Sequence, residues 1–152
     1  MMARRTIAAA LCAGLLTALP SGAQETADPA RQIEARRALM QAADNALLTL
    51  EDAAGKKAGI DFLQALIHGT TLSATMKASP LLFPAGTAAG GTFQTTAKAE
   101  IWNDRQEFEA LFQHARELAD QIAAGGSAET LGAATAELRT VCTNCHEAYV
   151  AY

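Results

Sequence analysis

Phe108, Leu111, Phe112, Ala115, Leu118, Ala119 and Ile122 recur at three- and four-residue spacing, so any helix that carries them presents one apolar face. Such a face has to be buried against other elements, and the chain supplies three more like it. Ile33, Met40, Leu47 and Ala54 repeat every seven residues, with Ala43 and Leu50 between them. Ile60, Leu63, Ile67 and Ala74 form the next stripe, and Leu131, Ala134, Leu138, Val141 and Cys145 the last. Asp28 and Pro29 open the first helix as N-cap and first helical residue, and Gly55 to Gly59 break it. The residue before Pro80 disfavours helix, which ends the second at Ser79. Asn103, with Gln106 three residues on, predicts a capping box for the third helix; Gly125-Gly126 closes it and Ser127 caps the fourth. With no alternating strand pattern beside them, these stripes predict an all-α fold, an antiparallel up-down-up-down four-helix bundle.

Between the second and third helices, Pro80 to Ile101 is rich in Gly, Pro and Thr and reads as one long connection. A length of that kind marks a functional segment or a crossover packed on the body. The dense Glu and Lys from Glu51 to Lys57 reads as a solvated helix end.

The first 23 residues have the three parts of a secretory signal peptide: Arg4 and Arg5, an apolar run from Thr6 to Leu19, and small residues at Ser21 and Ala23. The run is too short to span a bilayer, and Leu11 before Cys12 is too bulky for a lipid-attachment site. Cleavage after Ala23 leaves residues 24–152, one domain, with 10 Lys and Arg against 16 Asp and Glu and a net charge of −6. That balance argues against nucleic acid and anionic membrane surfaces as partners, and no membrane span remains in the mature chain. The predicted location is the periplasm. Only Cys142 and Cys145 stay in the mature chain, too few for a disulfide scaffold.

Those two cysteines belong to Cys142-Thr143-Asn144-Cys145-His146, near the end of the last stripe. A redox dithiol normally follows a strand, at a helix N-terminus that lowers a thiol pKa; this pair closes a helix. A structural zinc site needs four ligands, usually as two spaced pairs, and His68 and His114 are isolated and flank their stripes as surface residues. C-x-x-C-H is the attachment signature of c-type haem. At positions i, i+3 and i+4 the two thiols and the imidazole share one helix face, so one porphyrin can take both thioethers at Cys142 and Cys145 while His146 reaches its iron. In an up-down-up-down bundle Met40, about 16 Å into the first helix, and His146, about 9 Å from the chain's end, lie at one end. They could face a single porphyrin from opposite sides.

With Arg36-x-x-x-Met40, Leu81-Leu82-Phe83-Pro84 and the Ala97 to Asp104 segment before Phe108, this terminal CxxCH resembles the class II cytochromes c, whose best known members are the cytochromes c′. The resemblance runs from Ile33 to Tyr149. It implies one covalent haem c with its iron near one end of the bundle, Arg36 at a haem propionate, and Trp102, opening the third helix, and Tyr149 in the haem pocket. It implies His146 as proximal ligand and Met40 either as sixth ligand or as a blocker of the sixth position. One residue departs from the pattern: Val150 stands where the cytochromes c′ usually carry Arg or Lys. The function expected is electron transfer with periplasmic redox partners; the alternatives are a five-coordinate protein that binds NO or CO and, more remotely, a haem-free dithiol protein. No residue is placed as a catalytic acid, base or nucleophile, so the chain is read as a carrier and not an enzyme. The family's homodimers, formed through the first two helices, are the implied assembly.

Overall fold

The computed structural model describes residues 28–152; the signal segment expected at 1–23 lies outside them. Four long helices carry the fold: α1 (Pro29–Ala54), α2 (Phe62–Ala78), α4 (Arg105–Ala124) and α5 (Ala128–Tyr149), with a 3₁₀ turn at Ser79–Leu82 and a one-turn helix α3 (Glu100–Asn103) in the long connection. α1 packs on α2 and α5, and α4 packs on α2 and α5, which closes the bundle. The only strand-like feature among the described residues is an isolated antiparallel bridge, Ala97 to Val150, that ties the connection to the end of α5.

The helix ends follow local chemistry. Asp28 accepts from the Ala30 amide at 3.0 Å ahead of Pro29, and Ser127 Oγ accepts from the Thr130 amide at 3.2 Å. Asp61 and Gln64 form a complete capping box at the start of α2. The box expected at Asn103 and Gln106 does not form. Asn103 ends α3, and Asp104 precedes α4 without a side-chain cap. Trp102 therefore sits in the short α3 and not at the opening of the long third helix.

Ile33, Leu47, Leu50, Phe108, Phe112, Ile122, Leu131 and Leu138 are buried as the stripes require. The stripe assigned to α2 is corrected: Leu63 and Ile67 are 60% and 50% exposed, and Ala74 is exposed as well. The buried face of α2 is Ala65, Gly69, Leu72, Thr75 and Met76. At the α2–α4 crossing a Cβ on Gly69 would stand 2.5 Å from the Ala123 amide nitrogen, so two backbones meet there. Close backbone approach selects small side chains around Gly69, and Phe62, Leu63, Leu66 and Ile67 in the first half of α2 are turned outward, while Leu72 and Met76 further along are buried.

A second correction concerns Glu51. It is not part of the solvated end of α1, because Arg139 of α5 donates to both its carboxylate oxygens, at 2.7 and 2.8 Å. Asp52 and Lys56, its neighbours, are the exposed i, i+4 pair.

Candidate haem site

α5 brings Cys142, Cys145 and His146 to the same end of the bundle as the middle of α1. Both cysteines are free and half-buried. Burial pushes both thiols up, Cys145 to about 11, the opposite of what a nucleophilic dithiol needs. Among the described residues no group of three or more His, Cys, Asp or Glu side chains converges as a cage for an ion. The donors of the motif lie along α5 instead, with Cys145 and His146 facing a large cavity and all three facing a narrower pocket.

The large cavity has a volume of about 570 Å³ and is open to solvent at one side; cofactor pockets span roughly 300–1,000 Å³. Met40 of α1 and His146 of α5 both line it. Its inner wall is aromatic. Phe108 stacks edge-on against Phe83, Phe112 and Tyr149, with ring centroids 4.8, 5.0 and 5.3 Å apart. The narrower pocket, about 40 Å³ and almost wholly apolar, adjoins it between Met40, Met76, Phe112 and His146. Tyr149 and Val150 line the large cavity from the end of α5. Trp102 is not among its lining residues; Ile101 is, while the Trp102 indole donates to the Phe83 carbonyl at 3.3 Å and so holds Phe83 in the wall.

Arg36 is only 4% exposed. Its Nη1 donates to Thr87 Oγ1 and its Nη2 to the Thr87 carbonyl, both at 3.2 Å, and Nη2 also donates to Thr95 Oγ1. The guanidinium lies 4.7 Å from the centre of the Phe83 ring. Every one of these partners is neutral. Burial first, and the neighbouring Arg37 cation second, lower its affinity for the proton. A buried cation held by neutral groups is a site that an anion completes. Arg37 stands beside it on the cavity wall, with an Nη bonded to the Gln94 carbonyl. The long connection thus shapes one side of the cavity and fixes two cations on it.

His68 and His114 do not line the cavity; His114 is exposed on α4, 3.6 Å from Glu137. Lining or neighbouring residues that the sequence did not assign to the site include Phe112, Met76, Arg37 and Thr95. Phe112 was visible as a stripe residue, whereas Thr95 and Arg37 carry no signal until the connection folds back on α1.

Two free thiols on one helix face, an imidazole, an apolar wall and an anion-seeking arginine fit a covalently attached porphyrin carrying propionates. The model of the family described as Cytochrome C' matches residues 31–150. The chain belongs to the cytochrome c′ family. The cytochrome c′ of Rhodospirillum rubrum is 31% identical over 158 residues, covering 99% of both chains. Among solved structures, cytochrome c′ from Rhodobacter spheriodes superposes with a TM-score of 0.72 at 27% identity, covering 82% of this chain and 98% of that one. A cytochrome c′ with a ligand-controlled dimer dissociation has the same fold, with a TM-score of 0.72 at 22% identity and the same coverage. Cytochrome c′ proteins carry covalently attached haem c with its iron, and the donor set at the end of α5 matches that chemistry.

Proposed function

We propose that this protein is a periplasmic electron carrier that holds one haem c through thioethers at Cys142 and Cys145, with His146 as proximal ligand and Met40 as the sixth. The observation that carries the reading is the placement of Met40 and His146, from two different helices, on the wall of one cavity. Haem c supplies a one-electron Fe(III)/Fe(II) couple when bound, and its axial ligands and surroundings set the potential. The chain's own groups do the rest. With haem bound, His146 and Met40 would hold the metal from α5 and α1, Arg36 and Arg37 would offer cations to the propionates, and Phe83, Phe108, Phe112 and Tyr149 would keep water from the inner wall. A thioether ligand favours the reduced state and raises the potential. No helix among the described residues is long and apolar enough to cross a membrane.

Replacing Met40 by Ala is expected to convert the oxidised protein from low-spin to high-spin and to abolish the sulfur-to-iron charge-transfer band. An absorption spectrum already high-spin in the wild type, and unchanged in Met40→Ala, would sink the Met-ligated reading. That outcome favours the second reading, a five-coordinate protein that takes NO or CO. The narrow apolar pocket beside Met40 and His146 is the observation behind it. Val150 in place of a basic residue near His146 weighs against it.

Leu48, Phe62, Leu63, Leu66 and Ile67 are between 41% and 67% exposed on α1 and α2, a patch that a second copy of the chain would cover. Ile67→Glu is expected to turn a dimer into a monomer in sedimentation equilibrium, with the haem spectrum unchanged. A wild type that sediments as a monomer at high concentration would refute the assembly.

A further inference from the structure

Arg139 stands on α5 one turn before Cys142, and its side chain crosses to α1. Its Nε and Nη2 grip the two Glu51 oxygens at 2.7 and 2.8 Å, and its Nη1 lies 3.4 Å from Asp44 Oδ1. Bidentate geometry of this kind fixes the guanidinium in place. Arg139 and Asp44 line the large cavity, while Glu51 stands two turns beyond Asp44 and outside the lining. The hydrogen bonds from Arg139 hold the Glu51 carboxyl below the usual carboxylate range, and Glu51 in turn raises the Arg139 guanidinium, so both are ionised at neutral pH. The cluster therefore holds one cation against two anions at the edge of the cavity.

We propose that Arg139, Glu51 and Asp44 set the reduction potential of the haem, with Arg139 offsetting two carboxylates that would otherwise favour Fe(III). The proposal rests on haem occupying the cavity and is independent of whether Met40 binds the iron. A fixed negative charge stabilises the more positive oxidation state, and a fixed positive charge stabilises the other. The three groups are each about a third to a half exposed, so solvent and salt weaken the effect without removing it.

The same contacts could serve only to brace α1 against α5, and the two roles differ in sign. A brace loses its grip whichever partner is removed, so both removals disturb the haem alike. A charge effect reverses when the removed charge reverses. Redox titration of the holoprotein at low ionic strength decides between them. Arg139→Gln is expected to lower the midpoint potential, and Glu51→Gln and Asp44→Asn to raise it, Asp44→Asn the more because Asp44 lines the cavity. Arg139→Lys, which keeps the charge and loses the fork, is expected to stay near the wild type, and added salt to shrink every shift.

Shifts of one sign for Arg139→Gln and Glu51→Gln, shifts within error, or an Arg139→Lys variant that behaves like Arg139→Gln would each overturn the proposal. Asp44→Asn alters only the longest of the three contacts, so its sign remains readable if Arg139→Gln folds poorly. A wild type without covalent haem overturns this proposal together with the electron-transfer reading. A haem-bearing wild type with shifts of the wrong sign overturns this one alone.

Discussion

A Cys142→Ala, Cys145→Ala double variant made with haem-maturation machinery is expected to lose covalent haem completely. Acidified organic solvent will strip pigment from the variant and leave it on the wild type. The expectation follows from the register of α5. Both sulfurs face the same narrow pocket as His146 and Met40, because residues three apart on a helix share a face. The loss should also destabilise the bundle. The packing of the haem on the apolar wall exists only in the folded state, and without the haem the aromatic wall from Phe83 to Tyr149 borders a cavity of about 570 Å³. Thermal unfolding of the stripped variant well below the wild type would be the second sign of the same cause. Covalent pigment retained in the double variant would place the attachment elsewhere.

The other large effect lies away from the haem, at the α2–α4 crossing. Gly69→Ala puts a methyl 2.5 Å from the Ala123 amide nitrogen and 2.8 Å from its Cα. Those are backbone atoms and cannot turn aside, so the helices must separate. Overpacking of this kind costs about 3 kcal/mol at its upper range, and the gain in helix propensity returns about 1 kcal/mol. The net loss of about 2 kcal/mol should lower the melting temperature by roughly 8 °C for a domain of this size. Gly132→Ala in α5 is the matched control. Its new methyl would meet only Ala54 Cβ at 3.9 Å, ordinary contact, so the propensity gain of about 0.5–1 kcal/mol stands alone and the variant should melt slightly higher. Equal shifts in the two variants, followed by circular dichroism, would contradict the close crossing.

These two glycines mark where the sequence was and was not legible. The four long helices, their order and most of their ends could be read directly, since Pro29, Gly55, Ser79-Pro80, Gly125 and Ser127 act through local backbone chemistry. The inward face of α2 could not. Apolar periodicity counts large residues, and the crossing at Gly69 selects small ones, so Leu63 and Ile67 were assigned to the core and stand outside it. Asn103 failed as a cap for a related reason. The chain makes an extra turn of helix at Glu100–Asn103 that no stripe announces.

At the site, the CxxCH was legible because its three donors are fixed by helix spacing alone. That Met40 lines the same pocket as His146 needed the topology as well, since the two stand on different helices. Arg36 was readable as a cation on an apolar stripe, but its hold on Thr87 and Thr95 depends on how the long connection folds back. The Glu51–Arg139 pair spans 88 positions of sequence, and nothing in either local pattern joins them.

The central claim is that α1 and α5 present Met40 and His146 to one iron. X-ray absorption at the iron edge of the oxidised holoprotein tests it without a variant. A sulfur scatterer at bonding distance, beside the nitrogens of porphyrin and imidazole, is the predicted result. A first shell of nitrogen alone, with no sulfur, would contradict it.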